Sequence, residues 1–147
     1  LVVEAEKLLS GNSAILDLGA HNGRNGFYLA AHGHHVDSVE VDPNYIEDGR
    51  LLARALGGVA LGNAFWLGDM RKLDLKTRYD AAMALTSLQH VTKEESYEVV
   101  GKMQHVVKPG GWNVIEAYIA NQEQQALKPN YALFEEDKLF IWVYEAC

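Results

Sequence analysis

Cysteine is nearly absent from this chain, which has only Cys147 among its 147 residues. A single thiol cannot form an internal disulfide and cannot supply the thiolate cluster of a structural zinc site. Long apolar runs are also lacking: the longest, such as Ala81–Leu85, fall far short of the roughly 20 residues that cross a bilayer. Glu4, Glu6 and Lys7 interrupt the apolar segment that a signal peptide would need. The sequence therefore predicts a cytoplasmic protein with no membrane partner.

Positive charge is in deficit, with 13 Lys and Arg against 20 Asp and Glu and a formal net charge of -7 at pH 7. Such a field repels phosphate backbones, so we expect no nucleic-acid partner. The 48% hydrophobic content is typical of a folded chain, and the length suits one hydrophobic core. We predict a single domain over residues 1–147.

Short apolar runs alternate with segments of helical period, and Gly, Pro or Asn separates them. The predicted strands are Ala14–Leu18, His35–Glu40, Ala64–Leu67, Tyr79–Leu85, Trp112–Tyr118 and Phe140–Tyr144. The predicted helices are Val2–Leu9, Arg24–His32, Pro43–Leu56, Thr92–Val107 and Leu133–Leu139. This order predicts an α/β fold: a Rossmann-like, doubly wound, mainly parallel sheet with helices on both faces.

Boundary signals support three of these elements. Asp42 before Pro43 predicts a capped helix start, Thr92 with Glu95 predicts a capping box, and Lys108–Gly111 is expected to stop a helix and turn the chain. Ile119–Ala132 is the one long irregular segment, and such loops are often functional. A ligand is expected at the carboxyl ends of the strands, beside the first strand.

The first predicted strand runs into a glycine-rich turn with Gly19, Gly23 and Gly26, and Asp17 stands just before it. Glycines let a backbone approach a ligand closely. Seventeen residues beyond Gly23, the next strand ends in Glu40, whose carboxylate can accept hydrogen bonds from both ribose hydroxyls. Together these features predict a nucleoside cofactor.

The charge of Asp17 helps to choose between cofactors. The turn lacks the G-x-G-x-x-G spacing of a dinucleotide site, and a carboxylate there would repel a pyrophosphate. S-adenosylmethionine instead carries an ammonium and a sulfonium, which suit a nearby carboxylate. A nicotinamide-dependent short-chain reductase also needs a Tyr-x-x-x-Lys pair, and no Tyr in this chain has Lys four residues later.

Five motifs occur in the order found in one superfamily: Leu16–Gly19, Ser38–Pro43, Gly68–Met70, Tyr79–Val91 and Val107–Gly111. In these motifs the sequence resembles the class I S-adenosylmethionine-dependent methyltransferases, over roughly residues 14 to 118. The stretch Gly23–Ala30, with the short overall length, is similar to the tellurite-resistance type of small-molecule methyltransferase.

The resemblance implies a cofactor-binding set: Asp17, Gly19, Ala20, Gly23, Glu40, Val41, Asp69, Met70, Ala84 and Leu85. The residues from the first strand and its turn line the methionine moiety, with Asp17 orienting the ammonium, and Glu40 binds the ribose. Val41 and Met70 enclose the adenine, whose exocyclic amine donates to Asp69. Backbone at Ala84 and Leu85 meets the amino-acid end.

Methyl transfer from a sulfonium is an in-line displacement of an already activated group, so positioning is the main task of the protein. A base is needed only where the acceptor must first lose a proton. His90, just past the fourth predicted strand, is the candidate for that catalytic role, although a histidine that merely packs at a helix start is the plain alternative. His32, His34 and His35 lack a completing acid, so no metal site is predicted.

The sequence departs from the superfamily pattern in two places. Most relatives have glycine where this chain has His21, whose side chain must swing away or crowd the methionine tail. The superfamily usually ends its sheet with two antiparallel strands, and only Phe140–Tyr144 is found here, so we expect the last strand to be missing. Either the chain is a fragment, or a partner completes the sheet, and a homodimer is then expected.

The sequence thus predicts S-adenosylmethionine-dependent methyl transfer to a small-molecule acceptor, and leaves open whether oxygen, nitrogen, sulfur or a metalloid anion receives the methyl group. The alternative is a noncatalytic domain that binds S-adenosylmethionine or acts as a scaffold.

Overall fold

A computed structural model of the chain describes residues 1–57, 62–76 and 78–117, and the backbone of 140–145. Its helices are α1 (Val2–Glu6), α2 (Arg24–Ala31), α3 (Pro43–Leu56) and α4 (Lys93–Val106), and a short 3-10 turn spans Leu88–His90. Its strands are β1 (Ala14–Leu18), β2 (His35–Glu40), β3 (Asn63–Leu67), β4 (Tyr79–Leu85), β5 (Val107–Ala117) and β6 (Phe140–Glu145). The predicted helix Leu133–Leu139 and loop Ile119–Ala132 lie outside the described residues.

The six strands form one sheet in the order β3-β2-β1-β4-β5-β6. Strands β1 to β5 are parallel, and β6 pairs antiparallel with β5. The chain runs outward from β1 in one direction and then returns to its other side. The doubly wound, mainly parallel arrangement predicted from the sequence is therefore confirmed, and β1 lies at the switch point where ligands bind in such folds.

The two faces of the sheet carry separate hydrophobic clusters because side chains alternate along each strand. Ile15 packs in one cluster with Ala5 of α1 and Leu29 of α2. Leu16 and Leu18 pack on the opposite face with the α4 residues Val99, Met103 and Val106. Helices thus cover both faces, as predicted.

The helix starts also agree with the sequence prediction. The Asp42 side chain accepts a hydrogen bond from the Asn44 backbone N–H, and Pro43 occupies the first turn of α3. Thr92 and Glu95 form both halves of the capping box at α4. These caps fix where each helix begins and so fix the preceding loops, which lie at the carboxyl edge of the sheet.

The predicted turn at Lys108–Gly111 takes a different form. β5 already begins at Val107, opposite Tyr79, and the register resumes with Ala81 opposite Trp112, so the intervening residues bulge out of the strand. Gly111 packs so closely that an added Cβ would lie 2.5 Å from the Asp80 carbonyl oxygen. The chain therefore passes from α4 straight into the sheet, and the expected turn is a bulge within β5.

Candidate functional site

The loop after β1 lies against the end of β2. The backbone N–H groups of Gly19 and Ala20 both donate to the Val39 carbonyl oxygen, at 2.9 and 3.0 Å. Gly19 has φ 72°, and Gly23, at the N-cap of α2, has φ 77°. Residues other than glycine rarely adopt this left-handed backbone conformation, so the two glycines allow the tight turn that was predicted from the sequence.

Glu40 joins this loop to the loop after β2. Its Oε2 accepts from the His21 backbone N–H at 2.7 Å, and its Oε1 accepts from the N–H groups of Val41 and Asp42 at 2.8 and 2.9 Å. A carboxylate has about four acceptor positions, so these three bonds leave about one on Oε2. This position leaves room for one hydroxyl donor, such as a single ribose hydroxyl, and binding both hydroxyls would require one backbone donor to be displaced.

Asp17 is the most deeply buried acid of the site, with 1% of its surface exposed. Its Oδ2 has no hydrogen-bond partner within the described part of the chain. Burial raises the pKa of the Asp17 carboxyl from 3.8 to about 7, and the Glu40 carboxylate adds to the rise. A cationic group placed beside Asp17 would supply the missing partner and favour the charged carboxylate.

The loop after β4 closes against the loop after β1. An added Cβ at Gly19 would lie 2.3 Å from the Cβ of Ser87, so the two loops are in direct contact. Thr86 has φ 55°, and its N–H donates to the Glu116 carbonyl oxygen at 2.7 Å. The predicted contacts Ala84 and Leu85 are the buried last residues of β4, immediately before this turn.

Eight buried polar side-chain atoms have no hydrogen-bond partner among the described residues. Four of them lie at the end of β1 or in the loops after β1 and β4: Asp17 Oδ2, Asn22 Oδ1, Ser87 Oγ and Gln89 Oε1. The other four belong to His34, Asn63 and Asn113 and lie elsewhere. Buried polar groups in native proteins nearly always have a partner, so the four atoms at the carboxyl edge offer contacts for a polar ligand. Asn22, Ser87 and Gln89 were not predicted from the sequence, although their positions in the loops after β1 and β4 could have suggested them.

The region expected to hold the adenine has an apolar rim. Val41 is 61% exposed directly after β2, and Leu67, exposed at the end of β3, lies opposite Glu40. Met70 is partly buried against the α4-side cluster. Leu67 was not predicted from the sequence as a site residue, and the adenine contacts of Val41 and Met70 remain predictions.

Both carboxylate oxygens of Asp69 accept hydrogen bonds from Arg71. Its Oδ1 accepts from the backbone N–H and Nε of Arg71 at 3.0 and 2.9 Å, and its Oδ2 accepts from Nη2 at 2.8 Å. Arg71 also reaches Glu95 of α4 through Nη1 at 3.0 Å. These hydrogen bonds lower the pKa of Asp69 to about 2. Oδ2 keeps a lone pair, so Asp69 can still accept from an amine.

The Arg71→Ala variant is expected to lose about 1 kcal/mol of stability at pH 7, because Arg71 is 40% exposed and solvent screens its ion pairs. The contribution of Asp69 is present above its unfolded pKa and is lost as the pH falls through about 2. The difference between parent and variant should therefore shrink from pH 7 toward pH 2, as thermal unfolding would show. Arg50→Ala is the control, since Arg50 makes one exposed pair, with Glu47. Equal melting temperatures of parent and Arg71→Ala at pH 7 would contradict this reading.

The histidines have distinct surroundings. His90 is exposed at the end of the 3-10 turn, and its ring makes no hydrogen bond or ion pair with the described residues, so its catalytic role remains a prediction. The His21 ring contacts the ring of Tyr45 in α3, with centroids 3.6 Å apart and the ring planes tilted by 31°. His34 is buried, and its Nδ1 accepts from the Ser13 N–H at 3.2 Å.

No three His, Cys, Asp or Glu side chains in the described part of the chain come together in a way that could hold a metal ion. Likewise, none of its helices has the length and apolar character needed to cross a membrane.

Comparison with known proteins gives one family match and several structural neighbours. The family model described as "Tellurite resistance protein TehB" matches residues 1–145. A relative from Haemophilus influenzae (strain 10810), named "Probable S-adenosyl-L-methionine-dependent methyltransferase TehB", is 27% identical over 138 residues, covering 94% of this chain and 47% of the relative. The chain thus spans about half the length of this relative.

Solved structures share the fold. The crystal structure of TehB from Haemophilus influenzae matches with a TM-score of 0.77 at 24% identity, covering 92% of this chain and 46% of that chain. The CcbJ methyltransferase from Streptomyces caelestis matches with a TM-score of 0.71 at 27% identity, covering 80% and 49% of the two chains. The class I methyltransferase fold expected from the sequence is therefore confirmed.

Proposed function

The chain belongs to the tellurite resistance protein TehB family, and we propose that it binds S-adenosylmethionine at the carboxyl ends of β1, β2 and β4 and transfers its methyl group to a small-molecule acceptor. The observation that carries the proposal is the placement of two buried carboxylates, Asp17 and Glu40, around the loop that contains Gly19 and Gly23. The names of the methyltransferase relatives support the same activity.

The residues present fit this cofactor. Asp17 has an unpartnered Oδ2 that suits the ammonium of the methionine moiety. The backbone of Gly19, Ala20 and Gly23, which follows Asp17, is assigned to line the rest of that moiety. Glu40 retains acceptor capacity for a ribose hydroxyl. For the adenine we assign Val41, Met70 and Asp69, and for the amino-acid end the backbone of Ala84 and Leu85.

The chemical contribution of this chain is mainly orientation. When bound, the cofactor supplies a methyl group already activated by a positive sulfonium. The glycine-rich loop and Ser87 enclose the methionine end, and the buried acids hold the cationic and ribose groups in fixed positions. Alignment of reacting groups of this kind is worth about 7 kcal/mol or more. His90 is the proposed base for acceptors that must lose a proton.

Calorimetric binding of S-adenosylmethionine and S-adenosylhomocysteine, with NADH as a negative control, tests the cofactor assignment. We expect the parent to bind both adenosyl ligands and Glu40→Ala to bind them about 10- to 150-fold more weakly, because one hydrogen bond to a carboxylate contributes about 1.5–3 kcal/mol. Glu47→Ala, which removes an exposed acid of α3, should bind like the parent.

Loss of Glu40 also leaves three backbone N–H groups without an acceptor. Glu40→Gln keeps one oxygen, which can still accept from Val41 and Asp42, and leaves only the His21 N–H unpaired. This variant should therefore be more stable than Glu40→Ala while it still lacks the acceptor for the ribose hydroxyl. Circular dichroism must show native structure in each variant. Failure of the folded parent to bind either adenosyl ligand at millimolar concentration would refute the proposal.

An acceptor screen follows once binding is established, with tellurite first because the family description names resistance to it. Formation of S-adenosylhomocysteine that depends on an added acceptor supports the enzyme, whereas binding without turnover on any acceptor supports the noncatalytic alternative. We also propose that the protein acts in the cytoplasm, as a homodimer and without a nucleic-acid partner. Light scattering after gel filtration tests the dimer.

A further inference from the structure

We propose that the contacting rings of His21 and Tyr45 form a positioning element that ties the glycine-rich loop to α3 and closes the ribose side of the cofactor site. The inference rests on the proposed function, since it concerns how the loop that borders the S-adenosylmethionine site is held in position. It assigns a role to the histidine that replaces a glycine of the superfamily pattern, and to a tyrosine outside the motifs.

His21 is bound to the region after β2 at two points. Its backbone N–H donates to Glu40 Oε2 at 2.7 Å, and its ring contacts the Tyr45 ring in a tilted arrangement, with a centroid distance of 3.6 Å and an interplanar angle of 31°. The backbone of His21 has φ 54°, a left-handed conformation in which histidine is more common than most residues. The ring thus turns toward α3.

The backbone position of Tyr45 is well defined because this residue lies in the first turn of a capped helix. Asp42 accepts from the Asn44 N–H at 2.8 Å, and Pro43 fixes the backbone at the helix start. Tyr45 is itself half-buried, whereas the His21 side chain is exposed. The half-buried ring of Tyr45 therefore supports the exposed ring of the loop residue His21.

The ring pair lies beside the group that binds the ribose. Glu40 Oε2 is the oxygen with remaining acceptor capacity, and the same oxygen accepts from the His21 N–H. Any opening of the loop at His21 would move this donor and change the geometry offered to a ribose hydroxyl. A glycine at position 21 would keep the backbone bond but would lose the ring contact.

Binding and dissociation of S-adenosylhomocysteine test the element in a double-mutant cycle. His21→Gly and Tyr45→Ala should each weaken binding by about three- to tenfold, the range expected for one aromatic contact, mainly through faster dissociation. The double variant should lose little more than either single one. Tyr45→Phe keeps the ring and should bind like the parent, as should Tyr97→Ala, a control that removes an exposed aromatic of α4.

Hydrogen exchange of the His21 amide provides a second measurement, on the protein without ligand. The amide should be protected in the parent and in Tyr45→Phe, and should exchange at least about tenfold faster in Tyr45→Ala. Additive losses in the double variant, or equal exchange in parent and Tyr45→Ala, would overturn the inference. Absence of S-adenosylhomocysteine binding by the parent would instead overturn the proposed function, while the exchange comparison would still report on the ring contact.

Discussion

At pH 8 the Asp17→Asn variant is expected to melt at least about 5 °C above the parent and to bind S-adenosylmethionine at least about tenfold more weakly. The carboxyl is buried and its pKa is raised from 3.8 to about 7. At about 1.4 kcal/mol per pKa unit, keeping it ionised in the folded chain costs about 4 kcal/mol. An amide of the same shape avoids that cost but cannot offer a negative charge to an ammonium.

The pH dependence follows from the direction of this shift. An acid whose pKa is raised on folding contributes stability that is fully present below pH 3.8 and is lost as the pH rises through about 7. The two chains should therefore melt at similar temperatures near pH 4. Between pH 4 and pH 8 the melting temperature of the parent should fall increasingly below that of the variant.

Thermal unfolding from pH 4 to pH 8, with calorimetric titration at pH 8, measures both effects. Asp74→Asn is the matched control, because the Asp74 side chain is 85% exposed and should change neither property. A variant that melts below the parent at pH 8 would mean that Asp17 is stabilised as a carboxylate by the fold itself. Unchanged cofactor binding would remove Asp17 from the site.

The central part of the fold could be predicted because local signals agree with it. β1, β2, β4 and α3 have the predicted bounds, since short apolar runs bounded by polar or glycine residues specify buried parallel strands and Asp42-Pro43 specifies a helix start. β5 differs because pairing with Tyr79 extends the strand back to Val107, before the Lys-Pro-Gly-Gly segment. Pairing with a distant strand is a tertiary effect that local sequence does not report.

In the candidate site, likewise, some features could be predicted from the sequence and others depend on tertiary contacts. The positions of Asp17 and Glu40 at strand ends follow from motif order, because the carboxyl ends of parallel strands meet at one edge of a sheet. The Arg71–Glu95 ion pair, the contact of Gly19 with Ser87 and the contact between the His21 and Tyr45 rings join segments that are far apart in sequence. No periodicity or spacing rule predicts such contacts between loops.

The contact of Gly19 with Ser87 should make Gly19→Ala one of the most damaging small substitutions in the chain. Two terms contribute: a left-handed φ of 72°, which costs an L side chain about 1–2 kcal/mol, and overlap with Ser87 Cβ, which adds about 1–3 kcal/mol of overpacking. We expect a loss of about 3 kcal/mol and no measurable S-adenosylhomocysteine binding, because the loops after β1 and β4 must separate.

Gly33→Ala separates the backbone cost from the cost of overpacking. Gly33 has φ 88°, but an added Cβ would meet nothing within 4 Å among the described residues. This control should lose only the backbone cost of about 1 kcal/mol and should bind S-adenosylhomocysteine like the parent. Urea unfolding and calorimetry on the three chains give both quantities. If Gly19→Ala behaves like Gly33→Ala in stability and binding, the two loops do not need their close contact, and the site is formed without Ser87.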